Sequence, residues 1–319
     1  MPQLIYQLPT IPSFFESILA LPNGTLLLSR QDVPELWEVN PTTKTGRRIL
    51  HIPGVESLTG LTELSPNIYV VGGGTYRLMN HEGSVPGSYS LWLIDLSNPD
   101  SSEEKFRKVA SVPHIGQVNG LERWDDRTVL VADSYFGKIY RVDVVDGTSE
   151  VCFEDGATTT DAPGAPVRMS VNGIKVRWDG GEGGKYIYFT NTTRLLFCRV
   201  PVGRGSEEGK LEVGGPVEIL ASGYDGTTAW FMPDDFCFAE DGTAFITSHP
   251  TNMVFKTVKG GGVVRIAGGL KEWDVAAATA CVFGKGEADR GTLYVCTAGA
   301  NVVPIEGKTE GAKVVAVEV

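Results

Sequence analysis

Residues 127–144 read RTVLVADSYFGKIYRVDV. Two apolar, β-branched runs stand on either side of a short Ser-Tyr-Phe-Gly connection. Their apolar residues do not recur at three- and four-residue spacing, so the stretch reads as a pair of antiparallel strands and not as a helix. The same pair recurs along the chain. Its first run is found again in GTLLLSR (24–30), NIYVVGGG (67–74), KYIYFTNT (185–192), GTAFITSH (242–249) and GTLYVCTAG (291–299). Its second run is found again in ELWEVN (35–40), SLWLIDL (90–96), RLLFCRV (194–200), MVFKTV (253–258) and KVVAVEV (313–319). An outer run follows in five of the units, as in RRILHI (47–52) and FRKVASV (106–112).

Six units in 319 residues give about 53 residues each, the size of a propeller blade. The expected fold is all-β: a six-bladed β-propeller of four-stranded antiparallel blades, occupying 1–319 as a single domain. The sixth unit reaches residue 319 without a fourth strand. The N-terminal run Gln3-Leu4-Ile5-Tyr6-Gln7-Leu8 is expected to supply it and close the ring, which removes the exposed sheet edges. Segments 80–90, 154–170 and 202–216 are rich in Gly, Pro and Ser and read as loops.

Composition narrows the function. With 39 Gly and 18 Pro the chain is turn-rich, and its formal net charge of −11 disfavours nucleic acid and anionic membranes. No apolar run is long enough for a membrane span, so no membrane insertion is expected. Cys152, Cys198, Cys237, Cys281 and Cys296 are odd in number and lack CxxC spacing, which fits reduced thiols. The first residues lack a basic region followed by a long apolar stretch. A cytoplasmic protein is expected.

Aligning the units on the turn before each first run isolates one position. Eight residues before Gly24, Arg127, Gly180 and Gly242 stand Glu16, Asn119, Asn172 and Asp234. Thr59 and Thr279 fall at the matching place in the second and sixth units. These six residues begin the innermost strands, so the geometry of the repeat brings them together at one mouth of the central channel. Two carboxylates and two carboxamides are donors suited to a hard cation such as Ca²⁺. The competing reading is plain turn chemistry, because Asn-Gly at 119–120 and 172–173 is also a strong hairpin signal. Asp234 and Asp235 are adjacent, and either is placed to face inward.

In their order along the chain these residues resemble the SMP-30/gluconolactonase/LRE-like six-bladed propellers. That family carries a Glu in blade one, Asn in blades three and four, and an Asp in blade five. The resemblance implies one divalent cation held by Glu16, Asn119, Asn172 and Asp234. It departs at Pro233-Asp234-Asp235-Phe236, where the family usually has Gly after the Asp. The wording Val171-Asn172-Gly173-Ile174-Lys175-Val176, Asp234-Asp235-Phe236 and Thr279-Ala280 is similar to a fungal branch that serves secondary metabolism. Some members of that branch are hetero-Diels–Alderases, joining a quinone methide to a polyene.

The loops at the mouth carry Phe15, Tyr76, Tyr135, Tyr224, Trp230, Phe231, Trp273, His114 and His249. So aromatic a set suggests a pocket for an apolar or flat organic substrate. Two chemistries are expected to compete for this mouth. In a metal-dependent lactonase, the cation polarises an ester carbonyl and Asp234 or Asp235 activates water. In a pericyclase, two apolar partners are held in a dry pocket while Tyr135, Tyr224, Asn119, Asn172 or His249 donates a hydrogen bond to the quinone methide oxygen. A non-catalytic binding scaffold is the third reading. No organic cofactor is expected, since the Gly runs do not open a helix after a strand and no GxSxG or HExxH occurs.

Overall fold

A computed structural model of the chain describes residues 2–77, 83–98, 105–159, 169–179, 184–203, 211–223 and 231–319. Its strands are β1 (Gln3–Gln7), then blade one, β2 (Phe15–Ala20), β3 (Leu26–Arg30), β4 (Glu35–Asn40) and β5 (Thr45–His51). Blade two is β6 (Ser57–Ser65), β7 (Ile68–Gly74), β10 (Ser90–Asp95) and β11 (Phe106–Ser111), interrupted by the small hairpin β8 (Tyr76–Arg77) and β9 (Gly83–Ser84). Blade three is β12 (Val118–Arg123), β13 (Thr128–Asp133), β14 (Lys138–Asp143) and β15 (Ser149–Phe153). Blade four is β16 (Val171–Asp179), β17 (Gly184–Asn191), β18 (Leu196–Pro201) and β19 (Glu218–Ser222). Blade five is β20 (Phe236–Phe238), β21 (Ala244–Ser248), β22 (Met253–Thr257) and β23 (Val263–Gly268). Blade six is β24 (Ala278–Phe283), β25 (Thr292–Thr297) and β26 (Lys313–Glu318), completed by β1.

The expected propeller and its closure are therefore borne out. β1 pairs antiparallel with β26, from Gln3 opposite Ala316 to Gln7 opposite Lys313. Ring closure is also chemical: Leu8 N–H donates to the Ala312 carbonyl, and Gln7 Nε2 donates to the Gly311 carbonyl at 3.0 Å.

Packing explains why the first runs are apolar on both faces. β3 and β13 are buried at every position, because each sheet is covered on either side by its neighbours. The described residues form one apolar core per blade interface. Leu27, Leu36, Leu58 and Val71 fill the seam between blades one and two, and Val70, Leu91, Val118 and Val131 the next. The remaining four seams are built the same way, the last between Tyr294 and Val314 of blade six and Ile18 and Leu28 of blade one. Each such side chain contributes roughly 1.5–3 kcal/mol on burial.

Candidate functional site

The six equivalent residues all leave the regular ladder. The register of the innermost strand slips between Phe15 and Ser17, Leu58 and Leu61, Val118 and Leu121, Val171 and Ile174, and Ala278 and Ala280. Each slip flanks one of them. In blade five, Asp234 stands just before β20, and its N–H donates to Thr247 O at 2.8 Å. A bulge re-aims the side chain it carries. Glu16, Thr59, Asn119, Asn172, Asp234 and Thr279 are all buried.

Close approach of adjacent innermost strands accounts for the glycines that follow. A methyl group on Gly60 would collide with the Asn119 carbonyl. One on Gly120 would collide with the Asn172 carbonyl, and one on Gly173 with the Asp235 carboxylate. Asn119-Gly120 and Asn172-Gly173 are thus bulges inside β12 and β16, not hairpin turns. Hydroxyls from the neighbouring blades stitch the same seams. Ser29 Oγ donates to Thr59 O at 2.6 Å, Thr190 Oγ1 to Asp234 O, and Thr247 Oγ1 to Thr279 O at 2.7 Å. Thr279 spends its own hydroxyl proton on Phe15 O at 2.6 Å.

The mouth itself is assembled around Asp234. Asn172 Nδ2 donates to Asp234 Oδ1 at 2.7 Å and to Thr192 Oγ1 at 3.0 Å. His249 Nδ1 lies 3.7 Å from Asp234 Oδ2, and its ring packs edge-on to Phe14 with centroids 5.4 Å apart. Asn119 Nδ2 faces the Met169 thioether at 3.5 Å. Three buried polar atoms here have no partner: Thr59 Oγ1, Asn172 Oδ1 and His249 Nε2. Groups this well desolvated are costly when unpaired.

Burial also sets the protonation of the mouth. It pushes the Glu16 carboxyl up to about 8, with the Asp235 charge adding to the effect. Asp234 is raised well above the usual carboxylate range by burial, then by Glu16 and Asp235. Tyr76 is pushed up to about 12 by burial and by the Glu16 and Asp234 charges, so its phenol stays an O–H donor. Burial holds His249 neutral, down to about 4. Glu16, Asn119, Asp234 and Asp235 with their neighbours enclose a cavity of about 10 Å³. That is room for one water molecule or one bare ion.

The donor set fits a hard cation. Two carboxylates in one buried site repel unless a proton or a metal ion lies between them, and the free Asn172 Oδ1 adds a neutral oxygen. Glu16, Asn119, Asn172 and Asp234 would hold such an ion. Among the described residues, no cluster of three His, Cys, Asp or Glu side chains forms a metal site of that composition.

Both adjacent aspartates face inward, at different depths. Asp234 meets Asn172 and His249, whereas Asp235 accepts from Lys175 Nζ at 3.1 and 3.4 Å. Phe15 and Phe231 differ from expectation. Both are fully buried in the seams, Phe15 among Leu28, Ala280 and Cys296, Phe231 among Phe197 and Phe255, and so support the mouth without lining it. Trp273 is half-buried against Ala276, Ala300 and Ile305. His114 bonds Ser149 of the outermost strand β15 at 3.0 Å and packs on Tyr140, which separates it from the mouth. Tyr135 is half-buried and edge-stacked on the exposed Phe136. Tyr224 and Trp230 lie outside the described residues, as do residues 160–168 of the loop at 154–170. Met169 and Tyr89 were not anticipated; Tyr89 takes a hydrogen bond from Ser84 and is raised by burial.

A larger cavity, about 790 Å³, is elsewhere. It lies at the far ends of blades five and six, between Phe238, Phe245, Phe283 and Lys256, and includes none of the mouth residues.

No family model matches the chain. It is 26% identical, over a 322-residue alignment, to a Phoma sp. protein named "Putative hetero-Diels-Alderase"; the match covers 92% of this chain and 85% of that one. Among solved structures, the luciferin-regenerating enzyme superposes with a TM-score of 0.68 at 12% identity, covering 100% of this chain and 95% of that one. Regucalcin of Agrobacterium tumefaciens, a calcium-binding protein, superposes with a TM-score of 0.65 at 14% identity, covering 99% and 93%. At these identities the structural likenesses establish the fold. The six-bladed propeller that the resemblance implied is borne out.

Proposed function

We propose that this chain, an SMP-30/gluconolactonase/LRE-like six-bladed propeller, is an enzyme that joins two organic partners by hetero-Diels–Alder cycloaddition at the channel mouth. The observation that carries the reading is the character of the mouth: buried groups held in donor form beside polar atoms that have no partner in the protein. The Phoma relative, aligned over 92% of the chain, supports the same reaction class.

The reaction suits such a site. A quinone methide presents a conjugated C=C–C=O unit, and the second partner presents an alkene. One C–C and one C–O bond form together, three π bonds give way to two σ bonds and one π bond, and no proton is gained or lost. Catalysis then needs positioning, exclusion of water and donors aimed at the carbonyl oxygen, where negative charge grows. Tyr76 O–H and the Asp234 carboxyl, which burial keeps protonated and Asn172 Nδ2 fixes in place, stand at the mouth as the donors. The half-buried faces of Tyr135 and Trp273 offer apolar surface for a flat partner. A bound divalent cation would act as a Lewis acid on the same oxygen.

A second reading, a divalent-metal-dependent lactonase, is favoured by the cation-fitting pair of Glu16 and Asp234. In that case Asp234 is the base that deprotonates water.

One experiment separates them: metal content per chain, then turnover of an ortho-quinone methide with a polyene, and of a panel of lactones, before and after chelation. Cycloadduct formation that survives chelation and falls about tenfold or more in Tyr76→Phe supports the cycloaddition. Lactone hydrolysis lost on chelation and restored by Ca²⁺ would replace it with the second reading.

A further inference from the structure

Below the mouth lies a second charged layer that the reaction does not use. In blades two, three and four the residue after the mouth residue is glycine, because the next innermost strand presses on it. In blade five that place is taken by Asp235. Its carboxylate fills the space that the missing Cβ of Gly173 leaves open. Lys175, two residues along β16, reaches the same carboxylate at 3.1 and 3.4 Å and sits 5.6 Å from the Phe236 ring centre. Glu122 of β12 completes the layer, its carboxylate accepting the Val176 N–H at 3.4 Å.

We infer that Lys175 is a cation built into the channel, which sets how weakly or tightly the mouth holds a divalent metal ion by neutralising Asp235 and Glu122 beneath it. The inference rests on the mouth being the functional site. Glu16 and Asp234 above, with Glu122 and Asp235 below, place four carboxyl groups along one narrow channel. Lys175 is the basic residue paired among them. Lys185 stands farther out, 3.4 Å from the centre of the Trp124 ring. Burial works against the Lys175 ammonium, but Asp235 and Glu122 more than offset it and hold it charged. An ammonium at this place does two things to a divalent ion at the mouth. It repels the ion directly, and it occupies Asp235, which otherwise adds attraction through the weakly screened interior.

The two effects share one sign, so removing the charge should tighten binding. The test is calcium titration by calorimetry on the chelator-treated full chain. Lys175→Met should bind Ca²⁺ at least about tenfold more tightly than the unaltered protein, and Lys175→Arg within about threefold of it. Glu122→Gln should bind more weakly, and Lys175→Met should tighten binding by the same factor in the Glu122→Gln background. That last pair carries the test if the single Lys175→Met chain does not fold, because its charges stay balanced. A merely structural role for Lys175 would not give opposite signs for opposite charges. Unchanged or weaker binding on loss of Lys175 would overturn the inference, as would failure of every protein to bind Ca²⁺ up to about 10 mM. Asp234→Asn locates the ion. Binding abolished by Asp234→Asn yet indifferent to Lys175 sinks the role of Lys175 alone. Binding indifferent to Asp234→Asn sinks the mouth reading with it.

Discussion

Asn172 Nδ2 donates to Asp234 Oδ1 at 2.7 Å across the seam between blades four and five, and the carbonyl oxygen of the same amide is buried with no partner. One side chain thus fixes the carboxyl and offers a free atom to whatever enters. Replacing Asn172 by Ala removes both. Turnover should fall by about 10²-fold, the usual loss for one oriented polar group at a reacting centre. The fold should survive, since the seam keeps its Thr190 and Thr192 hydroxyl bonds to Asp234 O and Pro233 O. Steady-state kinetics alongside a melting curve checks both halves. Full activity in the variant would show that the reaction lies elsewhere.

The channel layer has a pH signature. Burial raises the Glu122 carboxyl to about 7, although Lys175, the Val176 N–H and Lys185 all favour its charged form. In the unfolded chain an ordinary Glu titrates near 4.3. A folded value above the unfolded one means that the contribution to stability is present below about pH 4.3 and is lost as pH rises through 7. Glu122→Gln should therefore match the unaltered protein at the acid end. It should overtake it by on the order of 2 kcal/mol above pH 8, allowing for the partial exposure of Glu122 to the channel. Denaturant melts between pH 4 and 8.5, with chelator present throughout, measure the difference. A gap that does not change with pH would mean that Glu122 is charged in the fold at all these values.

Much of this arrangement is legible in the chain, for a physical reason. A propeller repeats one register six times, so a shared offset of eight residues carries Glu16, Asn119, Asn172 and Asp234 to one place without any knowledge of their contacts. What the repeat does not encode is the partner across a seam. Lys175 and Asp235 are 60 residues apart, and Asn119 and Met169 are 50 apart. Aromatic residues show the opposite limit. Phe15 and Phe231 sit in loops and strand starts like those of Tyr76, yet they fill seams, because a ring that packs and a ring that lines a pocket carry the same local signal.

Ring closure by β1 has a large consequence for stability. The strand covers β26 and contributes buried Ile5, while Leu8 just beyond it is buried in the same core. Deleting residues 1–9 exposes the edge of β26 and strips the Leu8–Ala312 and Gln7–Gly311 bonds. Burial of these two side chains alone is worth roughly 3–6 kcal/mol. The shortened chain should melt well below the full one and associate in solution through its open edge. Calorimetry and light scattering read the two effects, and an unchanged melting temperature would show that closure is carried by blade six without β1.

Gly120 gives the sharpest test of how the mouth is built. If Asn119-Gly120 were a hairpin turn, Gly120 would need a left-handed backbone, and an alanine there would cost about 1 kcal/mol of conformational strain. Gly120 instead lies inside β12 and is not among the residues of positive φ. Its constraint is space: a Cβ would overlap the Asn172 carbonyl and come within 2.9 Å of Ile174 N. Both are backbone atoms of the neighbouring blade, so neither can swing aside. Gly120→Ala must push β12 and β16 apart at the point where Gly120 passes the Asn172 carbonyl. It should cost about 3 kcal/mol or more, an overpacking penalty, and should depress turnover further than the loss of folded protein explains. Gly24→Ala makes the comparison, because Gly24 has φ +82° and open space around it. It should cost about 1 kcal/mol and leave turnover per folded molecule unchanged. Equal effects from the two substitutions would mean that the close approach of the innermost strands does not shape the mouth.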